Sequence, residues 1–344
     1  MRFDFDQEQL MFQTSLRGFL AKHCSAGQIR LLWDSDDGHS PERWRALAEI
    51  GLLGLLVPQE YGGLGMDERD LVLALEECGR VALPEPVAET AAVGVALLAS
   101  LEDGEPRERW LESVVSGEVV VAVGDPLSFL VSGAGVADLS LFFEAGDLYA
   151  MEREQLELEP QPCIDPSLRL FSVRPGSGQC SPVARGQEAR RLLEEAIERG
   201  ALAVAAQQLG VGQQLIDMAV AYAGEREQFG RPIGSFQAVK HMLADAQIAV
   251  EFAKPVVYRA AYSVATAQGS RGLHVSHAKA AADEAATRAA KAALQVHGAI
   301  GYTWEADLHI WMKRAWALEN SWGTPSWHRA RVAEAILGQN GAAA

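Results

Sequence analysis

Four short segments hold the residue types and spacings from which a ligand site could be built. In "EREQFGRPIGSFQAVKHMLAD" (225–245), Arg226 and Gln228 precede a Phe229-Gly230 corner, and Pro232 and Gly234 shape a turn before Gln237. Gly230 is expected to end one helix and Ser235 to cap the next. Unpaired N–H groups at a new helix start, with a guanidinium nearby, suit a phosphate anion. The same residues also suit a plain helix–turn–helix with a solvated arginine. In "QVHGAIGYTWEADLHIWMKRAW" (295–316), Gly298 and Gly301 follow His297. They would let a ligand approach the backbone closely, and a glycine helix cap with a packed histidine explains them equally well. "VPQEYGGLGM" (57–66) is a glycine-rich loop around a Tyr61-Gly62-Gly63 turn. The last segment, "WALENSWGTPSWHRARV" (316–332), sets Trp316, Trp322 and Trp327 around a Gly323-Thr324-Pro325 break. Pro325 lacks an N–H and Gly323 tolerates unusual angles, so one helix stops there and another begins.

Other chemistries find no support. "SGAGVAD" supplies Gly133 and Gly135, but Asp138 stands where a dinucleotide fingerprint needs its third glycine, and "LGVGQQL" falls inside a helical pattern. There is no G-x-x-x-x-G-K-[ST] and no G-x-S-x-G. His274 and His277 could share a helix face, without an acid or thiol at metal spacing, and read as solvated; no metal is expected.

A formal charge of −16 argues against a nucleic-acid partner and against docking on an anionic membrane. The four cysteines (Cys24, Cys78, Cys163, Cys180) have no paired spacing, which suits reduced thiols. "MRFDFDQEQLMFQ" has early acids and no long apolar run, unlike a signal peptide, and no apolar stretch reaches the roughly 18 residues of a membrane span. These features predict a cytoplasmic protein.

The elements that must position these segments follow from periodicity. Residues 1–117 read as helical, with Ser40 capping a helix that starts at Pro41, and Asp67 capping another. Residues 118–186 switch to short β-rich runs, "EVVVAVGD", "ADLSLFFEAGDLYAME" and "LRLFSVRP", with "EAGDLYA" as a hairpin and "RPGSGQCSPVARG" as a polar linker. Residues 187–344 return to long Ala-rich helices with short connections, one of them interrupted by Pro255, which predicts a kinked helix in an antiparallel bundle.

With this α–β–α order, "VPQEYGGLGM", "EREQFGRPIGSFQAVKHMLAD" and "QVHGAIGYTWEADLHIWMKRAW" resemble the acyl-CoA dehydrogenase family along the whole chain. The most specific part is an Arg, two residues, Phe-Gly, then Phe-Gln at a helix start. The resemblance implies a mainly α fold with a central β domain: an N-terminal helical domain, a small middle β-barrel or sandwich, and a C-terminal four-helix bundle. It implies FAD, with Arg226, Gln228, Phe229 and Gln237 at its pyrophosphate and adenine. His297, Gly298 and Gly301 would meet the FAD of a neighbouring subunit, and the Tyr61-Gly62-Gly63 turn would shape the acyl pocket wall. The implied reaction is α,β-dehydrogenation of an acyl-CoA thioester, with electron-transfer flavoprotein or a similar acceptor taking the electrons.

Two departures stand out. The family's commonest base is a Glu immediately before Gly-Thr in the last segment; here that position is Trp322, which cannot accept a proton. Some relatives carry the base on the first long C-terminal helix, where Glu198 lies two residues from the aligned position; Glu319 is one turn before Trp322. For both, a solvated or salt-bridged carboxylate is the plainer reading. The β region also lacks the T-E-x-x-x-G-S-D-like and Trp-Ile-Thr-like segments that relatives place beside the flavin ring. The resemblance therefore implies either a homo-oligomer or one chain of an α2β2 assembly with a homologous chain. Such assemblies act on bulky acyl groups such as steroid side-chain thioesters. A catalytically inactive chain that completes a partner's FAD site is the alternative.

Overall fold

Side-chain caps fix where the first helices begin. Asp6 and Gln9 form a reciprocal capping box at the start of α1 (Gln7–His23), and Ser25 with Gln28 forms one at α2 (Ala26–Trp33). Ser40 caps α3 (Pro41–Glu49) with Pro41 in its first turn, and Asp67 caps α4 (Glu68–Arg80), both as the sequence predicts. A seven-residue π-helical turn (Ala88–Gly94) then runs into α5 (Val95–Ala99), and α6 (Glu105–Ser116) closes the N-terminal helical part. This computed structural model describes residues 4–101, 105–177 and 181–338; Cys180 lies outside them.

Six strands follow in one sheet, ordered β4-β3-β1-β2-β6-β5. β1 (Val121–Asp125) is buried throughout and pairs parallel with β3 (Leu139–Glu144); every other neighbour is antiparallel. The expected hairpin joins β3 to β4 (Asp147–Glu152) through Ala145 and Gly146, both at positive φ as a two-residue primed turn requires. β6 (Leu170–Pro175) is the expected "LRLFSVRP" strand, while β2 (Leu130–Ser132) and β5 (Leu156–Gln161) lie outside the three expected runs. Phe142 and Met151 from one end of the sheet pack with Leu156, Leu158 and Val173 from the other, so the sheet curls on itself.

The rest is helical: α7 (Gly186–Glu225), α8 (Gln237–Ala265), α9 (Arg271–His297), α10 (Leu308–Glu319) and α11 (Pro325–Leu337). Between α7 and α8 sits a small ladder of β7 (Glu227–Gln228) and β8 (Arg231–Pro232). Pro255 lies inside α8, which continues past it. α7 packs on α8, α9, α10 and α4. The α4–α7 approach is backbone to backbone: a Cβ on Gly79 would lie 2.0 Å from the Gln207 carbonyl oxygen, and one on Gly210 1.9 Å from that of Glu76. One apolar core runs from Leu16 of α1 through the sheet to Leu318 and Trp322, so the three segments are packed into a common interior. Among the described residues, no helix is long and apolar enough to cross a membrane, and no group of three or more His, Cys, Asp or Glu could hold a metal ion.

Candidate functional site

The first corner of interest lies at the end of α7. The helix stops at Glu225, earlier than Gly230 suggested, because Arg226 turns extended and its N–H closes on the Tyr222 carbonyl. Residues 227–232 then form a two-residue hairpin whose corner is Phe229 (φ 56°) and Gly230 (φ 77°). Left-handed backbone is ordinary for glycine and unfavourable for phenylalanine. Phe229 is nevertheless held there with its ring 92% exposed. Ser235 is not the cap of the next helix. It sits in a 3-10 turn with its hydroxyl donating to the Pro232 carbonyl, and α8 begins two residues later behind Phe236. No side chain caps α8, so its first N–H groups stay free, with Gln237 exposed at the first position and Arg226 exposed on the hairpin. Arg231 stacks over the Phe236 ring at 4.2 Å.

The second corner, at the end of α9, is beside the first. His297 stacks on Tyr222 at 4.4 Å, tying the last turn of α9 to the last turn of α7. Its Nδ1–H donates to the Ala293 carbonyl at 2.8 Å. Gly298 has φ 65° and open space where a Cβ would be. Gly301 differs: it is buried, and a Cβ there would press on His297 and Leu294 at 3.0 Å, so packing explains it. Tyr302 and Trp304 beyond it are largely exposed. Five of the seven residues expected at a nucleotide (Arg226, Gln228, Phe229, Gln237, Gly298) thus lie exposed at these two corners, and His297 joins the corners.

The tryptophan turn is built in the opposite manner. α10 ends at Glu319, Trp322 (φ 56°) and Gly323 (φ 98°) reverse the chain, and the Thr324 hydroxyl accepts from Trp327 N–H to start α11 at Pro325. Trp322 is 3% exposed. Its indole lies flat on Gly200 of α7, where a Cβ would fall 2.1 Å from the ring. The backbone N–H of Trp322 donates to the Asp125 carboxylate at 2.8 Å, and its carbonyl accepts from His328 Nε2 at 2.9 Å. Burial, with Lys279 and Arg331 nearby, pushes the His328 imidazole down to about 4, although the bond to the Trp322 carbonyl opposes this. His328 is therefore a neutral donor at pH 7.

Below the turn, Lys279 and Asp283 form a fully buried ion pair at 2.6 Å. The ammonium also donates to the carbonyls of Glu319 (3.2 Å) and Gly323 (3.4 Å), and Gln208 donates to Asp283. Burial works against charge on both partners, lowering Lys279 and raising Asp283 to about 6, while each partner restrains the other. Asp125 is similarly engaged, accepting from Leu127 N–H and the Ser128 hydroxyl besides Trp322.

The two carboxylate candidates are placed differently. Glu198 is buried and takes a 2.6 Å bond from Arg271 Nε. Glu319 is half-buried at the end of α10, and its backbone carbonyl is committed to Lys279. The Tyr61-Gly62-Gly63 loop folds against α6, with Arg107 over the Tyr61 ring, and a Cβ on Gly63 would meet the Val57 carbonyl oxygen at 2.1 Å. Asp125, Gly200 and the Lys279–Asp283 pair went unread in the sequence. Only the last had a local signal, a Lys and an Asp four residues apart in an Ala-rich helix.

Comparison with known proteins agrees with this architecture. Residues 6–118 match the family model described as acyl-CoA dehydrogenase, N-terminal domain, and residues 190–337 the one described as acyl-CoA dehydrogenase, C-terminal domain. The chain is 33% identical over 320 residues to acyl-CoA dehydrogenase IpdE2 of Mycolicibacterium smegmatis, covering 93% of this chain and 96% of that one. Among solved structures, it is similar to the Tcur3481-Tcur3483 steroid ACAD G363A variant (TM-score 0.86, 25% identity, 98% of this chain and 99% of that one). It shares the fold of the ChsE4-ChsE5 complex from Mycobacterium tuberculosis (TM-score 0.85, 24% identity, 98% and 99%).

Proposed function

This chain belongs to the acyl-CoA dehydrogenase family, and on that premise we propose that it is one subunit of a FAD-dependent acyl-CoA dehydrogenase whose flavin site is shared with a homologous chain. The observation that carries this reading is the contrast between an exposed nucleotide-binding end and a filled base position: Trp322 is packed on Gly200 where the family needs a carboxylate. Arg226 and the free N–H groups of α8 would bind the pyrophosphate, with Gln228, Phe229 and Gln237 beside the adenine. His297 and Gly298 present a second surface to a nucleotide, and Gly301 supports their turn. When bound, FAD supplies the acceptor for the β-hydride of the acyl thioester. An indole accepts no proton, Glu198 is held by Arg271, and of the candidate carboxylates only Glu319 at the end of α10 is left; in this reading the proton acceptor comes from the partner chain. Electrons leave to electron-transfer flavoprotein or a similar acceptor. Two similar structures, the ChsE4-ChsE5 complex and the Tcur3481-Tcur3483 steroid ACAD, favour a heteromeric α2β2 assembly and a bulky acyl group for this chain as well.

The test is co-purification. Expressed alone, the chain should reduce no artificial acceptor with an acyl thioester. Expressed with a neighbouring homologous chain, it should form an assembly with bound FAD and thioester-dependent turnover. Absence of FAD from every such preparation would end the proposal. Turnover by the isolated chain would instead make it an enzyme with its own base.

A further inference from the structure

A cavity of about 340 Å³ opens between the N-terminal helical part and the sheet, within the range of small-molecule sites, which start at roughly 300 Å³. Its walls come from the α2–α3 connection, the segment after α4, the turn after β2 and the start of β6. Gly133 and Gly135, which complete no dinucleotide fingerprint, shape one wall. A Cβ on Gly133 would lie 3.2 Å from Pro86 and one on Gly135 2.7 Å from the Phe171 ring, so both side chains can close on the turn. With Pro84 and Val136 they make one side of the cavity apolar. The other side carries charge of both signs. Asp36 and Asp37 are exposed and make no hydrogen bond or ion pair among the described residues. Arg169 is half-buried, and its Nη2 donates to the carbonyls of Leu32, Trp33 and Ser35 at 3.0, 3.1 and 2.7 Å, which pins the guanidinium at the end of α2. Gly38 (φ 65°) closes over its Nε, where a Cβ would fall 2.5 Å away. Among the described residues Nη1 has no partner and no carboxylate forms an ion pair with the group, although acids outnumber bases 46 to 30 in this chain.

Opposite charges that line one cavity without pairing, beside an apolar wall, match a ligand that carries both charges and an apolar body. We propose that this cavity binds a free α-amino acid with an apolar side chain. Its carboxylate takes the open edge of the Arg169 guanidinium, its ammonium lies by Asp36 and Asp37, and its side chain packs on Pro84, Pro86 and Phe171. A simple anion would meet two carboxylates here and a simple cation the guanidinium, whereas a zwitterion satisfies both signs. The cavity shares no residue with the two flavin corners, and the proposal does not rest on the shared-site reading.

The experiment is calorimetric titration of the full chain with L-leucine and with L-phenylalanine. Three controls each remove one feature: L-phenylalaninamide the carboxylate, 3-phenylpropanoate the ammonium, and glycine the apolar body. At least one of the two amino acids should bind with one equivalent. Each control should bind at least roughly tenfold more weakly, the worth of one charge-assisted hydrogen bond or of about two buried methylenes. Asp36→Asn/Asp37→Asn alters two exposed side chains without partners, so it should weaken binding at least roughly tenfold and leave the melting curve unchanged. Arg169→Gln should weaken binding as much; because it also releases three carbonyls at the end of α2, the double Asn variant decides the matter if Arg169→Gln does not fold. Failure of both amino acids to bind at roughly 10 mM, above a millimolar Kd, overturns the proposal. So does 3-phenylpropanoate or the amide binding as tightly as phenylalanine, or a double Asn variant that binds like the wild type. None of these readouts involves flavin, so failure here leaves the shared-site reading standing.

Discussion

The corner at Phe229-Gly230 and the corner at Trp322-Gly323 use the same backbone device, an aromatic residue in the left-handed region followed by a left-handed glycine. Phe229 is 92% exposed with no core to hold it, and Trp322 is 3% exposed with hydrogen bonds at both its N–H and its carbonyl. Left-handed strain is tolerated for a reason in each case. At Trp322 the reason is within the chain: burial of an indole and two satisfied backbone groups offset the strain. At Phe229 the two-residue hairpin requires it, and an edge contact with the Phe236 ring at 6.2 Å is the one ring contact made, so the aromatic surface is left almost wholly open. The difference separates an exposed corner from a filled one.

The largest expected effect falls on the filled corner. Trp322→Ala should destabilise the chain by roughly 3–5 kcal/mol, the cost of emptying a large core site, while leaving FAD content of the assembly unchanged. Denaturant titration beside the flavin absorbance checks both halves. Asp283→Ala leaves the buried Lys279 ammonium without its carboxylate, a loss of about 3–5 kcal/mol read by the same denaturant titration. A smaller preparation-independent test is the pH behaviour of His328. Its imidazole should stay neutral down to about pH 4. Because its folded pKa lies below the ordinary 6.5, its contribution is complete above that pH and is lost as pH falls towards 4, roughly 3 kcal/mol in all. Asp283, raised to about 6, works in the opposite sense over part of that window, so the ring-proton NMR shift of His328 is the measurement, not the melting curve.

On the exposed corner the signs reverse. Arg226→Ala should leave the melting temperature of the chain unchanged and weaken FAD retention by roughly 1.5–3 kcal/mol, followed by flavin release on dilution of the assembly. Phe229→Gly relieves the left-handed backbone, so its effect on chain stability should stay within about 1 kcal/mol while flavin retention falls. If Phe229→Gly destabilised the chain as much as Trp322→Ala, the two corners would not differ in kind.

Much of this was legible locally. Ser40 with Pro41 and Asp67 marked helix starts, Ala145-Gly146 marked a hairpin, and the helical periodicity after residue 186 marked the bundle. Such signals are short-range, set by caps, turns and side-chain spacing. β2 was missed because it is only three residues long, β5 because its Leu156-Glu157-Leu158-Glu159 alternation is acid-rich and runs into Pro160, and Ser235 misled because a cap is defined by where the backbone first turns helical, two residues later here.

The sequence by itself determined that Trp322 stands where a base is expected, that Arg226 and its glycine corner precede a helix start, and that helices bracket a small β region. Only the tertiary structure decided that the indole rests on a glycine more than a hundred residues away, that an aspartate from the sheet holds the backbone N–H of Trp322, and that a histidine stacked on a tyrosine joins the two exposed corners. The physical reason is that a residue type limits what chemistry a position can do, whereas burial, partners and open space depend on which distant backbone comes to lie beside it.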